Sequence, residues 1–433
     1  MTATTTASAR SSGRTFAHPA EAGALGLADR VLFVTLCATV ALLPLEGAVL
    51  IGGSATFTIY VGALGTVAFF ASLVVEQRPI YRSGAPGRSL FLRIGLSALG
   101  LIFWTQDRES TQLQFPLLLR LSLLSLMVFQ VAAGDARRRR MLCRCFAVGA
   151  MVAALIILNN WKSEKTWVEA LGRAQGTISD AGVGAARRYS VGRVDPNYMA
   201  LVLGVGLCLT WVSVKQRWAI IATPLLALAI VLTGSRTALI AAFVAALFYF
   251  TGGVFARRQT VRLFAGALVA IAAVAFSWQF VPEDTQIRAK SVLNANEDRS
   301  ASSRRDAWSQ GVSAWSELPI LGSGLASFTV YTSTATQSDP IAAHSLYVNQ
   351  LVEGGLVGVC ISVYGLASVW RATGGGKRVR PERLAMIFWA TTGIALDLDL
   401  NKLTFVLLPL CLTCSFGSRD ETDIDRDPQP LAA

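Results

Sequence analysis

The 433-residue sequence contains two histidines, His18 in a polar N-terminal stretch and His344 in "AHSLYVNQLVEGGLVGV", Ala343 to Val359. His344 falls where a long polar stretch gives way to an apolar run, in the expected first turn of a helix. The positive end of a helix disfavours imidazolium, so such a histidine tends to be neutral and able to accept a proton. Three further stretches carry cations suited to phosphate. In "GSRTALIAAFVAALF", Gly234 and Ser235 read as a tight turn and Arg236 as the start of a helix. Unpaired helix N–H groups beside a guanidinium fork suit a phosphate; the competing reading is an arginine snorkelling to lipid headgroups.

In "SSRRDAWSQGVSAWSELPILGSGLASF", Ser302 or Ser303 can cap a helix on which Trp308, Val312 and Trp315 recur at i, i+4 and i+7. That pattern predicts an interfacial helix with its tryptophans toward the membrane and Arg304 and Arg305 in its first turn. The following "LGSGLASF" is too short and irregular for a nucleotide-binding fingerprint. In "GRVDPNYMA", Asp195-Pro196 reads as an extended turn, Arg193 as another cation, and Asn197 as a residue near a helix start whose ordinary role is capping.

The acidic residues are less suggestive. Glu353 lies nine residues beyond His344, about half a turn out of phase, and reads equally as a functional group or a helix-packing partner. Asp397 and Asp399 in "LDLDL" stand at i and i+2, and on a helix they face nearly opposite ways. They converge only if that helix end unwinds. None of the seven cysteines lies in the long polar stretches, and "CLTC" has no second pair or nearby histidine to complete a metal site. No metal and no cofactor are expected.

These residues need a scaffold, and composition defines its class. The chain is 53% hydrophobic and 15% charged with mean hydropathy +0.50, where soluble proteins carry about a quarter charged residues. Apolar runs at 30–48, 51–75, 89–104, 114–133, 141–160, 197–213, 218–233, 236–251, 262–281, 344–369, 384–398 and 402–416 have roughly bilayer-spanning length. The prediction is an all-α polytopic membrane protein of about twelve transmembrane helices. With the N-terminus inside, "EQRPIYRSGAPGR", "GDARRRR", "VKQR", "FARRQTVR" and "RATGGGKRVRPER" all fall in the cytoplasm, as the positive-inside rule requires. The net charge of +12 is thereby topological, and nucleic acid is not an expected partner. The predicted organisation is a disordered cytoplasmic tail over 1–29, nine helices over 30–281 with an outer loop at 161–196, a large outer loop at 282–343, three helices over 344–416 and an acidic cytoplasmic tail over 417–433. Arg93 and Arg120 are nearly the only basic residues within spans, and the remaining candidates gather at the outer face.

Together, "DPNYMALVLGVGLCL", "LTGSRTALIAAFVAALF", "SRRDAWSQGVSAWSELPILGSGLASF" and "AHSLYVNQLVEGGLVGV", in that order, resemble the O-antigen ligase and polymerase superfamily of bacterial inner-membrane glycosyltransferases. The likeness covers roughly 190–365, and the first half only through span count. It implies a GT-C-like fold with its active site at the periplasmic face of the inner membrane. It also implies metal-independent, inverting transfer of glycan from an undecaprenyl-pyrophosphate donor to an acceptor hydroxyl, on lipid A–core or another glycan, among membrane lipids. Arg236, Arg304 and His344 match the family's motif positions as catalytic residues, with Arg193, Asn197, Arg305 and Ser235 as substrate-binding candidates. Ser345 stands where the family often has asparagine, and the doubled Arg304-Arg305 leaves the phosphate ligand ambiguous. A ligase is the leading expectation, with a polymerase of the same family as its alternative. A flippase for the same lipid-linked sugars, the reading from a different class, calls for ionisable residues spread along a membrane path.

Overall fold

The computed structural model describes residues 26–46, 50–51, 55–75, 84–166, 188–251, 299–337, 342–374 and 379–415. The expected ninth span at 262–281, the start of the large outer loop, most of the 161–196 loop and both tails lie outside the described residues. Among those described, the chain is helical apart from one minimal hairpin, in which Leu50–Ile51 pairs antiparallel with Ala55–Thr56.

The helices are α1 (Leu27–Leu42), α2 (Phe57–Val74), α3 (Gly84–Phe103), α4 (Arg108–Gly134), α5 (Ala136–Lys162), α6 (Pro196–Ser213), α7 (Gln216–Leu232), α8 (Arg236–Thr251), α9 (Arg299–Trp315), α10 (Phe328–Thr336), α11 (Leu346–Ala372), α12 (Pro381–Thr392) and α13 (Lys402–Leu412). Their starts follow from local chemistry. Asp107, Asp135, Asp195, Ser345 and Asn401 each accept a first-turn amide with the side chain, satisfying a donor the helix leaves open.

Among the described residues, five helices are long and apolar enough to cross a membrane: Leu27–Leu45, Arg108–Gly134, Ala136–Lys162, Pro196–Ser213 and Leu346–Ala372. Shorter apolar helices lie at Tyr60–Val74, Gln216–Leu232, Arg236–Tyr249 and Lys402–Leu412. α12 ends at Thr392, short of the expected span to 398, and the chain runs irregularly to α13. At 1.5 Å per residue α12 is only about 18 Å long, against a hydrocarbon core of about 30 Å.

α6 sits at the centre of the bundle, buried along most of its length between α5, α7 and α12. A Cβ at Gly204 would collide with the Phe388 ring, and one at Gly149 with the Ala41 carbonyl. Such close approach is how helices gain packing where the hydrophobic effect between them is weak. The "RRRR" run, expected as loop charge, forms the first turns of α5. Arg138 forks onto Asp29 at 3.1 Å on one arm and stacks over Phe33, while Arg139 donates to the Thr413 carbonyl at 2.9 Å. Both guanidinium groups are buried, so part of the basic run fastens helix ends together.

α11 is broken. Gly355 takes φ 58° and ψ −162° inside it, a conformation open to glycine at no steric cost. The groups freed by the break are met by the chain between α9 and α10. Ser323 and Gly324 donate to the carbonyls of Val352 and Glu353 at 2.9 and 3.0 Å. Leu356 and Val357 donate to Pro319 and Ile320 at 2.9 and 3.1 Å. A Cβ at Gly355 would strike the Ile320 carbonyl and the Gly322 amide, so this backbone-to-backbone seam tolerates no side chain.

Candidate active site

The site is assembled from three segments. The first is the turn between α7 and α8, where Gly234 has φ 64° and Arg236 opens α8. Ser235 is buried, its hydroxyl accepting from the Ala238 amide at 3.4 Å, so it caps α8. The second is the approach to α6. Asp195 caps that helix through the amides of Asn197 and Tyr198 at 2.7 and 3.1 Å. The capping expected of Asn197 therefore falls to Asp195, and the Asn197 carbonyl oxygen instead accepts from Arg188 at 2.8 Å. Arg188 also donates through Nε to the Thr233 carbonyl at 3.0 Å, tying the α6 start to the turn that presents Arg236. Arg193 is exposed in the preceding turn.

The third segment is α9 with the residues before α11. α9 begins at or before Arg299, so Ser302 and Ser303 lie inside it, and Arg304 and Arg305 fall a turn later than expected. The face turned to the protein is the small-residue one, Ala307, Gly311 and Ala314, with Gly311 against Val348 of α11 and Phe328 of α10. Close docking selects the small side chains. Trp308 and Trp315 serve as donors to the carbonyls of Ala343 and Pro319, at 3.2 and 3.1 Å. Arg304 is half-buried, Arg305 exposed.

His344 precedes α11, which starts after the Ser345 cap, rather than lying in its first turn. Its φ of 46° is in the left-handed region, a conformation costing about 1–3 kcal/mol outside glycine. Both flanks hold it there: Ala343 accepts from Trp308, and the Leu346 amide bonds the carbonyls of Gly393 and Leu396 at 2.8 and 2.9 Å. The imidazole is accessible to solvent, yet partial desolvation, and then the charge of Arg304, hold its pKa below the usual 6.5. Asp195 pulls weakly the other way. Of the doubled arginines, Arg304 is the one whose charge acts on His344.

Arg188, Asn197, Asp195, His344 and Arg304 are thus linked across three segments by hydrogen bonds or by charge acting on the imidazole, and Arg236 follows the turn that Arg188 holds. Arg188 and Asp195 were missed as members; the signal available was the Arg187-Arg188 pair in the expected loop at 161–196. Glu353 and the two aspartates lie elsewhere. Asp399 is buried in an ion pair with Arg93 of α3 and accepts from Gln350 of α11, which also accepts from Ser362 at 2.9 Å. The chain is unwound at 397–399, as convergence required, but the Asp399 amide donates to Asp397 at 3.1 Å, a local turn. Among the described residues no three His, Cys, Asp or Glu side chains come together as a metal-binding set.

Below the site runs a cleft of about 550 Å³ between α3, α4, α11 and α13. It extends from Leu346 and Tyr347, next to His344, down to Val369 and Leu412, with walls of residues such as Leu90, Phe129, Leu351 and Phe405. Arg93, Gln350 and Asp399 supply its polar spot.

Apolar helices of membrane-crossing length thus carry a cationic, histidine-containing cluster at their ends. Residues 221–363 match the family model for O-antigen ligase, a likeness that supports the O-antigen ligase superfamily. The match contains Arg236, Arg304, Arg305 and His344, whereas Arg188, Arg193 and Asn197 precede it. No curated protein matches the chain.

Proposed function

We propose that this protein transfers glycan from undecaprenyl pyrophosphate to an acceptor hydroxyl at the periplasmic face of the inner membrane, as a ligase acting on lipid A–core. The observation that carries the reading is a histidine whose pKa is lowered by partial desolvation and by the charge of Arg304, two residues from Leu346 at one end of an apolar cleft of about 550 Å³. The acceptor hydroxyl gives its proton to the His344 imidazole as its oxygen attacks the anomeric carbon. The bond from that carbon to the pyrophosphate oxygen breaks on the opposite side, inverting the centre. Arg304 and Arg236 offset the charge that develops on the leaving pyrophosphate, and preorganised cations act most strongly where water is excluded. Arg188 and Asn197 fix the Arg236 turn, and Arg193 and Arg305 supply outer-face charge to the glycan-phosphate. The transfer uses no metal.

The proposed frame is a GT-C-like bundle of twelve spans with both termini cytoplasmic. The test is the glycan profile of a deletion strain. Polymer stranded on undecaprenol, with none on lipid A–core, supports the ligase. Single repeat units reaching the acceptor would assign the protein to polymerisation. Intermediates trapped on the cytoplasmic leaflet would mean a flippase and remove the catalytic role of His344.

A further inference from the structure

Glu353 sits in the part of α11 just before the break, buried and facing away from His344. Its carboxylate accepts from the Phe328 amide at 3.3 Å and from the backbone of Ala326. Ser327, at the cap position of α10, makes no side-chain capping bond. Glu353 therefore caps α10 from a different helix. Ala326, whose amide and that of Phe328 both reach this one acceptor, has φ 59°.

α10 in turn holds α9. The Phe328 ring lies against Gly311, and the Tyr331 hydroxyl donates to the Ala314 carbonyl at 3.2 Å. α9 carries Arg304 two turns before Gly311, and its Trp308 donates to the carbonyl just before His344. The circuit is closed: Glu353, α10, α9, Arg304, His344 and back into α11. The same connection is clasped from its other side, where Thr111 donates to the Leu325 carbonyl at 2.6 Å and Gln106 to that of Ser323 at 2.8 Å.

We infer that Glu353 is a positioning residue for the transfer proposed above: by capping α10 it sets the placement of α9, and so of the Arg304 guanidinium relative to the His344 imidazole. A residue that only stabilised the fold would leave the electrostatics at His344 unchanged. The charged groups acting on that imidazole are Arg304 from α9 and Asp195 from the α6 cap, so a displaced α9 changes the first and spares the second.

The test is an NMR titration of His344 in full-length protein in nanodiscs, in a His18→Ala background that leaves one histidine. Glu353→Gln, which keeps an acceptor oxygen at the same reach, is expected to superimpose on the parent curve. Glu353→Ala is expected to shift the midpoint upward, toward that of Arg304→Ala, and the double variant to shift no further than Arg304→Ala alone. Glu353→Asp, one methylene too short to reach both amides, is expected to behave as Glu353→Ala and stands in for it if the alanine variant does not fold. A Glu353→Ala or Glu353→Asp curve identical to the parent overturns the inference. So do equal shifts in the Gln and Ala variants, or shifts that add in the double variant. The titration needs no sugar donor, so it fails or succeeds separately from the transfer reading.

Discussion

His344 is poised by two opposed charges, and each can be removed without touching the imidazole. Arg304 lowers its pKa and Asp195 raises it. A base with a depressed pKa stays unprotonated further into acid, so the acid limb of kcat/KM is expected below 6.5, the ordinary histidine value. Arg304→Ala should move that limb up in pH as well as lowering the rate. Asp195→Asn keeps a good helix cap and should move it down. An unmoved limb in both variants, measured by pH–rate profiles in nanodiscs, would show that His344 does not set it. Arg188 belongs to the same scale. Its loss frees Asn197 and the Thr233 carbonyl together, and Arg188→Ala is expected to lower transfer about tenfold or more by misplacing Arg236, since charged hydrogen bonds contribute about 1.5–3 kcal/mol each. Arg188→Lys cannot span both partners and should rescue little. The sequence pointed to His344 and Arg236 through their helix-start settings. It could not single out Arg188, because the two partners that define it lie nine and forty-five residues away.

At the scale of elements, the break in α11 and the clasp that fills it matter most. "EGGLVG" reads in sequence as the interior of a continuous span, because two adjacent glycines leave the apolar pattern intact. Only the segment at 319–324, between α9 and α10, reveals that the helix gives up its own hydrogen bonds there. Gly355→Ala faces both a strained backbone angle and a collision with Ile320. It is expected to destabilise the protein by about 2 kcal/mol or more, seen as a lower melting temperature in detergent, whereas Gly354→Ala, with open space at its Cβ, should be nearly neutral. Equal melting temperatures would count against the clasp. α9 gives the reverse lesson. Its existence was legible from periodicity, but the tryptophan stripe said nothing of the face packed on the protein, where Ala307, Gly311 and Ala314 make the close contact.

For the whole molecule, hydropathy made the membrane class legible, and helix starts at 196, 236 and 346 fall close to their expected places. What composition could not supply was pairing between distant elements. Arg93, a bare charge in a span by sequence, is matched by Asp399 from the unwound link after α12. Breaking that pair with Arg93→Ala leaves a buried carboxylate, expected to cost about 3–5 kcal/mol, with Asp399→Asn in the same chain recovering much of it. In the basic run at 137–140, Arg138 and Arg139 likewise clamp α1 and the turn after α13. The proposed transfer needs these elements to bring His344, with its lowered pKa, beside the end of the apolar cleft that Leu346 and Tyr347 line. The most direct measurement is the rate of transfer from a polyprenyl-pyrophosphate glycan by purified His344→Ala and parent protein, in nanodiscs with chelator present. The account predicts full parent activity under chelation and a loss of at least about a hundredfold in the variant. Parent-like transfer by His344→Ala, or parent activity abolished by the chelator, would contradict it.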